Sequence, residues 1–344
     1  METKRIFVDK IGNNEKSYSQ AAQLLAAGEV VAFPTETVYG LGAIATNNEA
    51  VKKIFQAKGR PSDNPLIVHI GTREELETYT TEIPEMAEKC MDAFWPGPLT
   101  LILPAKPNYF AESVTQLPTI GFRMPDHPVA LALLQQLKQP VAAPSANRSG
   151  KPSPTKAAHV LDDLDGIIAG VVDGGETGIG LESTVLDLTL EVPAILRPGG
   201  VTKEMLEEVI GPVQAPSLSE QKKEETPKAP GMKYTHYSPN APVYLVQQQV
   251  EQIEQAIKEL QEQGETVALI VQDELVNDRA NYVFTVGAQH DLHAYSALLY
   301  DALRACDKTD ATVIIATATT TADVGAAIMN RLEKAATGYY FERK

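Results

Sequence analysis

Residues 29–42, EVVAFPTETVYGLG, run from an apolar segment straight into a cluster of small hydroxyls. Val30, Val31, Ala32 and Phe33 read as a strand over 29–33, buried on both faces. Pro34 stops it, and Thr35, Glu36, Thr37 and Tyr39 follow before Gly40-Leu41-Gly42. A buried strand that ends in threonines and glycines sets short polar groups around open space, where a ligand can approach the backbone.

Outward from this stretch the pattern repeats. Strands are expected at 66–70 (LIVHI), 99–104 (LTLILP), 119–123, 140–144, 166–172, 184–188 and 194–197, with helices at 47–57, 84–93, 127–138, 155–162 and 202–210. The last helix has Thr202 as its cap and stops at Gly211. Several strands are divided by Pro and Gly, not by helices, which points to a twisted mixed α/β sheet. Residues 214–240 hold prolines and a charged run without apolar periodicity and read as a linker. Beyond it the rhythm is regular: strand 243–246, helix 250–263, strand 267–271, strand 282–286, helix 291–305, strand 312–316, helix 322–336. This predicts a mixed α/β domain over 1–213 and a smaller open α/β domain of Rossmann-like layout over 241–344. No Gly-x-Gly-x-x-Gly follows the first strand of the smaller domain, so nothing there marks a dinucleotide site.

Charge narrows the classes of partner. The 344 residues carry a net charge of −15. Residues 1–213 hold 18 Lys and Arg against 27 Asp and Glu, and residues 214–344 hold 12 against 18, so neither half is a basic module that wraps nucleic acid. A local cationic pocket for one anionic ligand remains open. No run of 18 uncharged apolar residues occurs, and METKRIFVDK lacks the apolar centre of a signal peptide, so a cytoplasmic protein away from membranes is expected. Cys90 and Cys306 have no CxxC partner and suggest neither zinc nor disulfide.

The polar signal sits in short clusters at strand ends. Lys58-Gly59-Arg60, ahead of Pro61 and Asn64, either clamps phosphate oxygens or carries the usual cations of a helix C-terminus. Ser145 and Asn147, after PVAA, either cap a turn or donate to a ligand. Ser183 and Thr184 open a strand, and Gly174–Gly180 is glycine-rich without the Lys-Ser/Thr of a phosphate loop. Arg123 in GFRMP and Arg197 in ILRPG each lie in an apolar strand, where a guanidinium costs several kcal/mol unless an anionic ligand or an internal carboxylate meets it. His69 ends LIVHI and is either a bonded core residue or part of a site, and His290 and His293 show no third metal ligand. No Ser/His/Asp order and no activated cysteine stands out. Anion and hydroxyl contacts without a covalent nucleophile fit adenylyl or phosphoryl transfer run by positioning and electrostatics.

In order along the chain, PTETVYGLG, KGRPSDNPL, GFRMP, APSANRSG, ESTV, ILRPG, the linker PGMKYTHYSP and the helix AIMNRLEKAA resemble the two-domain threonylcarbamoyl-AMP synthases with a YrdC-type catalytic domain. Ala322-Asp323-Val324-Gly325 departs from the Gly-Leu-Gly that family carries before its last helix. The resemblance implies that L-threonine, bicarbonate or carbon dioxide, and ATP with Mg2+ give threonylcarbamoyl-AMP and pyrophosphate. A separate transferase complex then moves the group onto the adenosine next to the anticodon of tRNA. It further implies that Thr37, His69, Arg123, the backbone at Ala143, and Ser183 hold threonine. On the ATP side it implies Lys58, Arg60, Asn64, Thr119, Ser145, Asn147, Ser153 and Arg197, with Tyr237 closing over from the linker and Thr35 and Tyr39 shaping the wall. Lys58, Arg60 and Arg197 are the expected charge-neutralising catalytic groups. Two rivals are a carbamoyl-AMP-forming carbamoyltransferase, whose relatives carry zinc-finger cysteines missing here, and a double-stranded RNA-binding module, which the charge disfavours.

Overall fold

The computed structural model describes residues 2–8, 14–61, 64–215 and 237–341, and these form two compact units. The first comprises Met1–Ser149, Pro154–Gly178 and Glu182–Lys233; the second comprises Gly150–Ser153, Ile179–Leu181 and Tyr234–Lys344. Residues 216–236, most of the expected linker, lie outside the described residues. Two short pieces of the N-terminal sequence belong with the second unit, a division that no change in composition marks.

The first unit is built on a ten-stranded sheet. In chain order its strands are β1 (Lys4–Phe7), β2 (Val31–Phe33), β3 (Gly40–Ile44), β4 (Val68–His69), β5 (Leu99–Pro104), β6 (Thr119–Arg123), β7 (Val141–Ala142), β8 (Gly170–Asp173), β9 (Thr184–Asp187) and β10 (Ala194–Arg197). Across the sheet they run β1-β8-β2-β3-β7-β4-β6-β5-β9-β10. Pairs β1/β8, β2/β8, β4/β6 and β5/β9 are parallel, and the remaining five are antiparallel, so the sheet is mixed as the Pro- and Gly-divided strands predict.

Strand β3 was hidden in the glycine-rich half of the opening stretch. Gly40-Leu41-Gly42 lies outside the strands expected from the sequence, yet it pairs with β2 through Ala32↔Leu41 and Val31↔Gly42. A Cβ at Gly42 would lie 2.7 Å from the Phe33 ring and 2.9 Å from Val141 Cγ1, so only glycine lets the strand pass between them. Strands expected at 66–70 and 140–144 shrink to two residues each. Pro140 and Pro144, which have no N–H to give a ladder, bracket Val141–Ala142.

Among the described residues, the helices of this unit are α1 (Glu15–Ala26), α2 (Asn48–Lys58), α3 (Glu75–Tyr79), α4 (Glu85–Phe94), α5 (Pro128–Leu137), α6 (Ala157–Leu164) and α7 (Lys203–Ile210). Local chemistry sets their ends. Asn47 accepts from Ala50 N at 3.1 Å to start α2, and Gly59 in the left-handed region (φ 66°) stops it. Thr202 accepts from Met205 N to start α7. One core takes in Val68, Leu101, Phe122 and Leu186 from the central strands. On the opposite side Ala21, Leu25, Leu133 and Leu134 of α1 and α5 pack on Val31, Phe33 and Val141.

The second unit has four parallel strands, β11 (Val243–Val246), β12 (Val267–Val271), β13 (Tyr282–Thr285) and β14 (Val313–Thr317), in the order β11-β14-β12-β13. Helices α8 (Val250–Glu262), α9 (Leu292–Cys306) and α10 (Val324–Ala335) complete the expected open α/β layout. Its core includes Ile253, Ile257, Leu269, Val271 and Ile315. Tyr237 belongs here: it is 4 % exposed, has φ 66°, stacks on Tyr300 at 5.4 Å and has the Arg331 guanidinium 5.8 Å from its ring. Cys90 and Cys306 are buried free thiols, one in each unit, and no described helix is long and apolar enough to cross a membrane.

Candidate active site

Strand alternation divides β6 into two roles. Ile120 and Phe122 enter the core, which turns Gly121 and Arg123 to the other face. Leu101 pairs with Phe122, so Thr100 shares the face of Arg123. His69 pairs with Arg123, and both Thr100 and Arg197 pair with Val185. Directly paired residues project to one side. His69, Arg123, Thr100 and Arg197 therefore form a polar row across β4, β6, β5 and β10, and three strand spacings put about 14 Å of sheet between the two arginines.

Ser183, just before β9, fills the gap in this row. Its hydroxyl lies 2.7 Å from Thr100 Oγ1. Arg197 donates through Nε to Ser183 O at 3.0 Å and through Nη2 to Ser183 Oγ at 3.1 Å. The chain after Arg197 folds back over this strand: Thr184 Oγ1 donates to Val201 O at 2.5 Å. A Cβ on Gly199 would stand 2.3 Å from Thr184 N and 2.5 Å from Glu182 O, so glycine alone allows that approach.

The two polar turns of the sequence are knitted together by backbone bonds. Leu41 N donates to Pro144 O at 2.7 Å, Ala146 N to Tyr39 O at 2.8 Å, and Gly40 bridges Ser145. Thr37, fully buried, lies 2.8 Å from Thr35 Oγ1. Because Thr35 gives its one hydroxyl hydrogen to Val38 O at 2.6 Å, Thr37 is the donor to Thr35. Tyr39 donates to Gly175 O at 2.7 Å, and burial pushes its phenol well above the ordinary range. Lys58, the last residue of α2, reaches the second turn: Nζ donates to Ser145 O at 2.5 Å, Asn147 O at 2.8 Å and Asn147 Oδ1 at 3.3 Å. Ser145 Oγ donates to Asn147 Oδ1 at 2.6 Å.

Arg123 has an internal acid beside it. Glu36 Oε1 is 2.6 Å from Arg123 Nη2, with side chains 10 % and 5 % exposed. Of the two partners the apolar strand left open for Arg123, an anionic ligand or an internal carboxylate, the structure shows the carboxylate: Glu36, placed by the turn after Pro34, offsets its burial. Arg123 Nε also donates to Gly97 O at 3.4 Å. His69 is 3 % exposed, edge-on to Phe33 at 6.3 Å, and its Nδ1 has no hydrogen-bond partner among the described residues. Burial first, and the Arg123 charge second, push its pKa down to about 3, so its ring is neutral near pH 7.

The remaining expected residues divide. Arg60 covers the Phe55 ring at 5.3 Å. Asn64 is 2 % exposed with neither amide atom hydrogen-bonded among the described residues, as a ligand-facing amide would be. Thr119 starts β6, and Ala143 N is spent on Ile67 O at 2.9 Å, which leaves the Ala143 carbonyl as the group that could face a ligand. Ser153 and Tyr237 lie in the second unit. The sequence reading missed Glu36 and Thr100 as site residues; the signal for Glu36 was the apolar strand around Arg123, which called for an anion without saying whether a ligand or a side chain supplies it.

Residues 23–199 match a family described as "Telomere recombination", and residues 201–337 match one described as "Threonylcarbamoyl-AMP synthase, C-terminal domain". The threonylcarbamoyl-AMP synthase of Bacillus subtilis is 54 % identical over 344 residues, covering 98 % of this chain and 99 % of that protein. That of Pyrococcus abyssi is 48 % identical and covers 93 % of each. The crystal structure of P. abyssi Sua5 complexed with L-threonine superimposes with a TM-score of 0.93 at 44 % identity, covering 100 % of both chains.

Proposed function

This chain belongs to the two-domain threonylcarbamoyl-AMP synthases, and on that premise we propose that it condenses L-threonine, bicarbonate or carbon dioxide, and ATP into L-threonylcarbamoyl-AMP and pyrophosphate. The polar row supports a site in which two anionic substrates meet on one face of a sheet. Threonine lies against Thr37, His69, Arg123, the Ala143 carbonyl and Ser183, with its carboxylate toward Arg123. The triphosphate lies toward Lys58, Arg60, Asn64, Thr119, Ser145, Asn147 and Arg197.

The reaction proceeds in two steps by proximity. The α-ammonium of threonine first gives a proton to solvent; the neutral amine then attacks carbon dioxide with loss of a second proton, or bicarbonate with loss of water, and gives N-carboxy-threonine. The new carboxylate attacks the α-phosphorus in line and pyrophosphate leaves. Both steps gather negative charge, and Lys58, Arg60 and Arg197 are the groups that offset it. The donor set of this side is ammonium, guanidinium and amide, which suits phosphate oxygens. A magnesium ion would be held by the phosphates of ATP, with Lys58, Arg60 and Arg197 around them, and would supply further charge neutralisation there.

The observation that carries this reading is the pair of hydrogen bonds that Arg197 donates to Ser183, to its carbonyl at 3.0 Å and its hydroxyl at 3.1 Å, which link the proposed ATP-side arginine to the proposed threonine-side serine. The product is an activated carbamoyl adenylate, which a separate tRNA threonylcarbamoyl transferase complex consumes. Pyrophosphate release from ATP tests the whole assignment: it should require both threonine and bicarbonate, and release that persists when either is omitted would refute it.

A further inference from the structure

We propose that Glu36 receives the α-ammonium of the amino-acid substrate, so that the Glu36–Arg123 ion pair reads the complete zwitterion. The inference rests on the reading above that Arg123 faces the substrate carboxylate.

Glu36 and Arg123 approach to 2.6 Å with side chains 10 % and 5 % exposed. The approach is a charge contact without an aligned hydrogen bond. Neither oxygen of Glu36, nor Nη2 of Arg123, takes part in a hydrogen bond among the described residues. Burying a carboxylate is costly unless its lone pairs are filled, and two oxygens offer about four acceptor sites. A protein that needed Glu36 only as a counter-ion would satisfy those sites with N–H groups from the surrounding backbone. This one leaves them open, one residue from Thr37.

The chemistry of the vacant acceptors selects the ligand. They call for a cationic donor, and an ammonium supplies three hydrogens. Among the described neighbours of Glu36 only Arg123 is a fixed cation: Thr37 already donates to Thr35, His69, opposite Arg123 on β4, is a neutral ring, and burial lowers the pKa of His127, the other ring that senses the Glu36 charge. An α-amino acid carries a carboxylate and an ammonium on one carbon, complementary in sign and spacing to a guanidinium and a carboxylate side by side. End-to-end docking turns two half-satisfied ion pairs into a closed, neutral quartet. It also rejects hydroxy acids and other carboxylates without an amine, because each would leave Glu36 buried and opposed by nothing but Arg123.

The test uses the full-length protein and calorimetric titration without ATP. The probes are L-threonine and its α-hydroxy analogue 2,3-dihydroxybutyrate, in which a hydroxyl replaces the ammonium. The wild type should prefer threonine by about 100-fold or more. In Glu36→Gln, threonine should bind about ten-fold more weakly while the analogue holds steady, so the preference falls about ten-fold. Arg123→Lys should weaken both ligands alike, since both carry the carboxylate. If Glu36→Gln keeps the full preference, or weakens both ligands equally as a mere prop for Arg123 would, the proposal is overturned. If Arg123→Lys leaves both affinities intact, it is the underlying carboxylate reading that fails. Unchanged ATP affinity and circular dichroism establish that each variant is folded, and Glu36→Asp, which keeps the charge one methylene shorter, should retain part of the preference.

Discussion

Arg197 holds Ser183 at two atoms, its carbonyl at 3.0 Å and its hydroxyl at 3.1 Å, while that same hydroxyl lies 2.7 Å from Thr100 Oγ1. Removing the arginine and removing the hydroxyl should therefore have different consequences. Arg197→Ala takes away a charge from the transition state and should lower turnover about 100-fold or more, with threonine affinity changed far less. Ser183→Ala leaves that charge but frees its aim, and should raise the KM of threonine and of ATP together. Titrating each substrate into each variant checks this; threonine affinity falling in step with stability in Arg197→Ala would mean that the arginine is only a brace.

Lys58 spends its ammonium on the second polar turn. Its contacts to Ser145 O and Asn147 O satisfy two carbonyls in a buried setting. Lys58→Met keeps the apolar stem and deletes the donor, which should cost about 1–3 kcal/mol of stability for the acceptors left behind. The same variant should lose ATP affinity, because Ser145 and Asn147 are no longer held in place. Thermal unfolding with and without ATP separates the two effects: the wild type should gain stability from ATP and the variant should gain little. A variant with wild-type unfolding and wild-type ATP stabilisation would show that the turn holds itself.

His69 predicts how the protein responds to acid. Its folded pKa is pushed down to about 3, chiefly by burial, from an ordinary value near 6.5. At pH 7 the ring is neutral in both folded and unfolded chains and contributes nothing. Between about 6.5 and 3 the unfolded chain binds a proton that the folded one refuses, so stability is lost as pH falls, by up to about 1.4 kcal/mol per pH unit. His69→Gln removes this burden and should flatten the decline. Urea midpoints at pH 7, 6, 5 and 4 compare the slopes, and parallel slopes would rule the histidine out as the source.

Alternation made much of this fold readable, and the places where it failed have physical causes. LTLILP and TIGFR show their strands at 99–104 and 119–123 because apolar β-branched runs are bounded by proline and polar turns. Gly40–Ile44 was illegible because its glycines are strand residues chosen for close passage, as the Phe33 ring at 2.7 Å from a Gly42 Cβ demonstrates. Helix Glu15–Ala26 was missed because its apolar face is made mostly of alanine, whose Ala21 and Ala22 give a faint pattern. In the site, residue types and strand ends were readable, but partnership was not. Whether Arg123 met a ligand or an acid depended on a turn 87 residues earlier that sets Glu36 beside it. Thr100 gave no signal at all, since a threonine inside an apolar strand is ordinary β-sheet composition.

Gly199 and Gly211 supply a paired test of whether the backbone behind Ser183 controls the chemistry. At Gly199 a methyl group would collide with Thr184 N at 2.3 Å, Glu182 O at 2.5 Å and Ser183 C at 2.5 Å, all main-chain atoms that cannot swing aside. Gly199→Ala must therefore push the 182–184 segment away from the loop, at a cost of about 1–3 kcal/mol, and carry Ser183 off Arg197 and Thr100. At Gly211 the same methyl meets nothing within 4 Å, and the penalty is the positive φ of 80°, worth about 1 kcal/mol. That position closes α7 and none of its contacts belongs to the site. Gly211→Ala should thus lose stability while each folded molecule keeps its turnover. Gly199→Ala should lose turnover even well below its unfolding temperature. Pyrophosphate release per folded molecule, measured at a temperature where both variants are native, decides the matter: equal and full activity in the two would mean that Ser183 can shift by a methyl's width without consequence, and that its bonds to Arg197 and Thr100 are not what the site depends on.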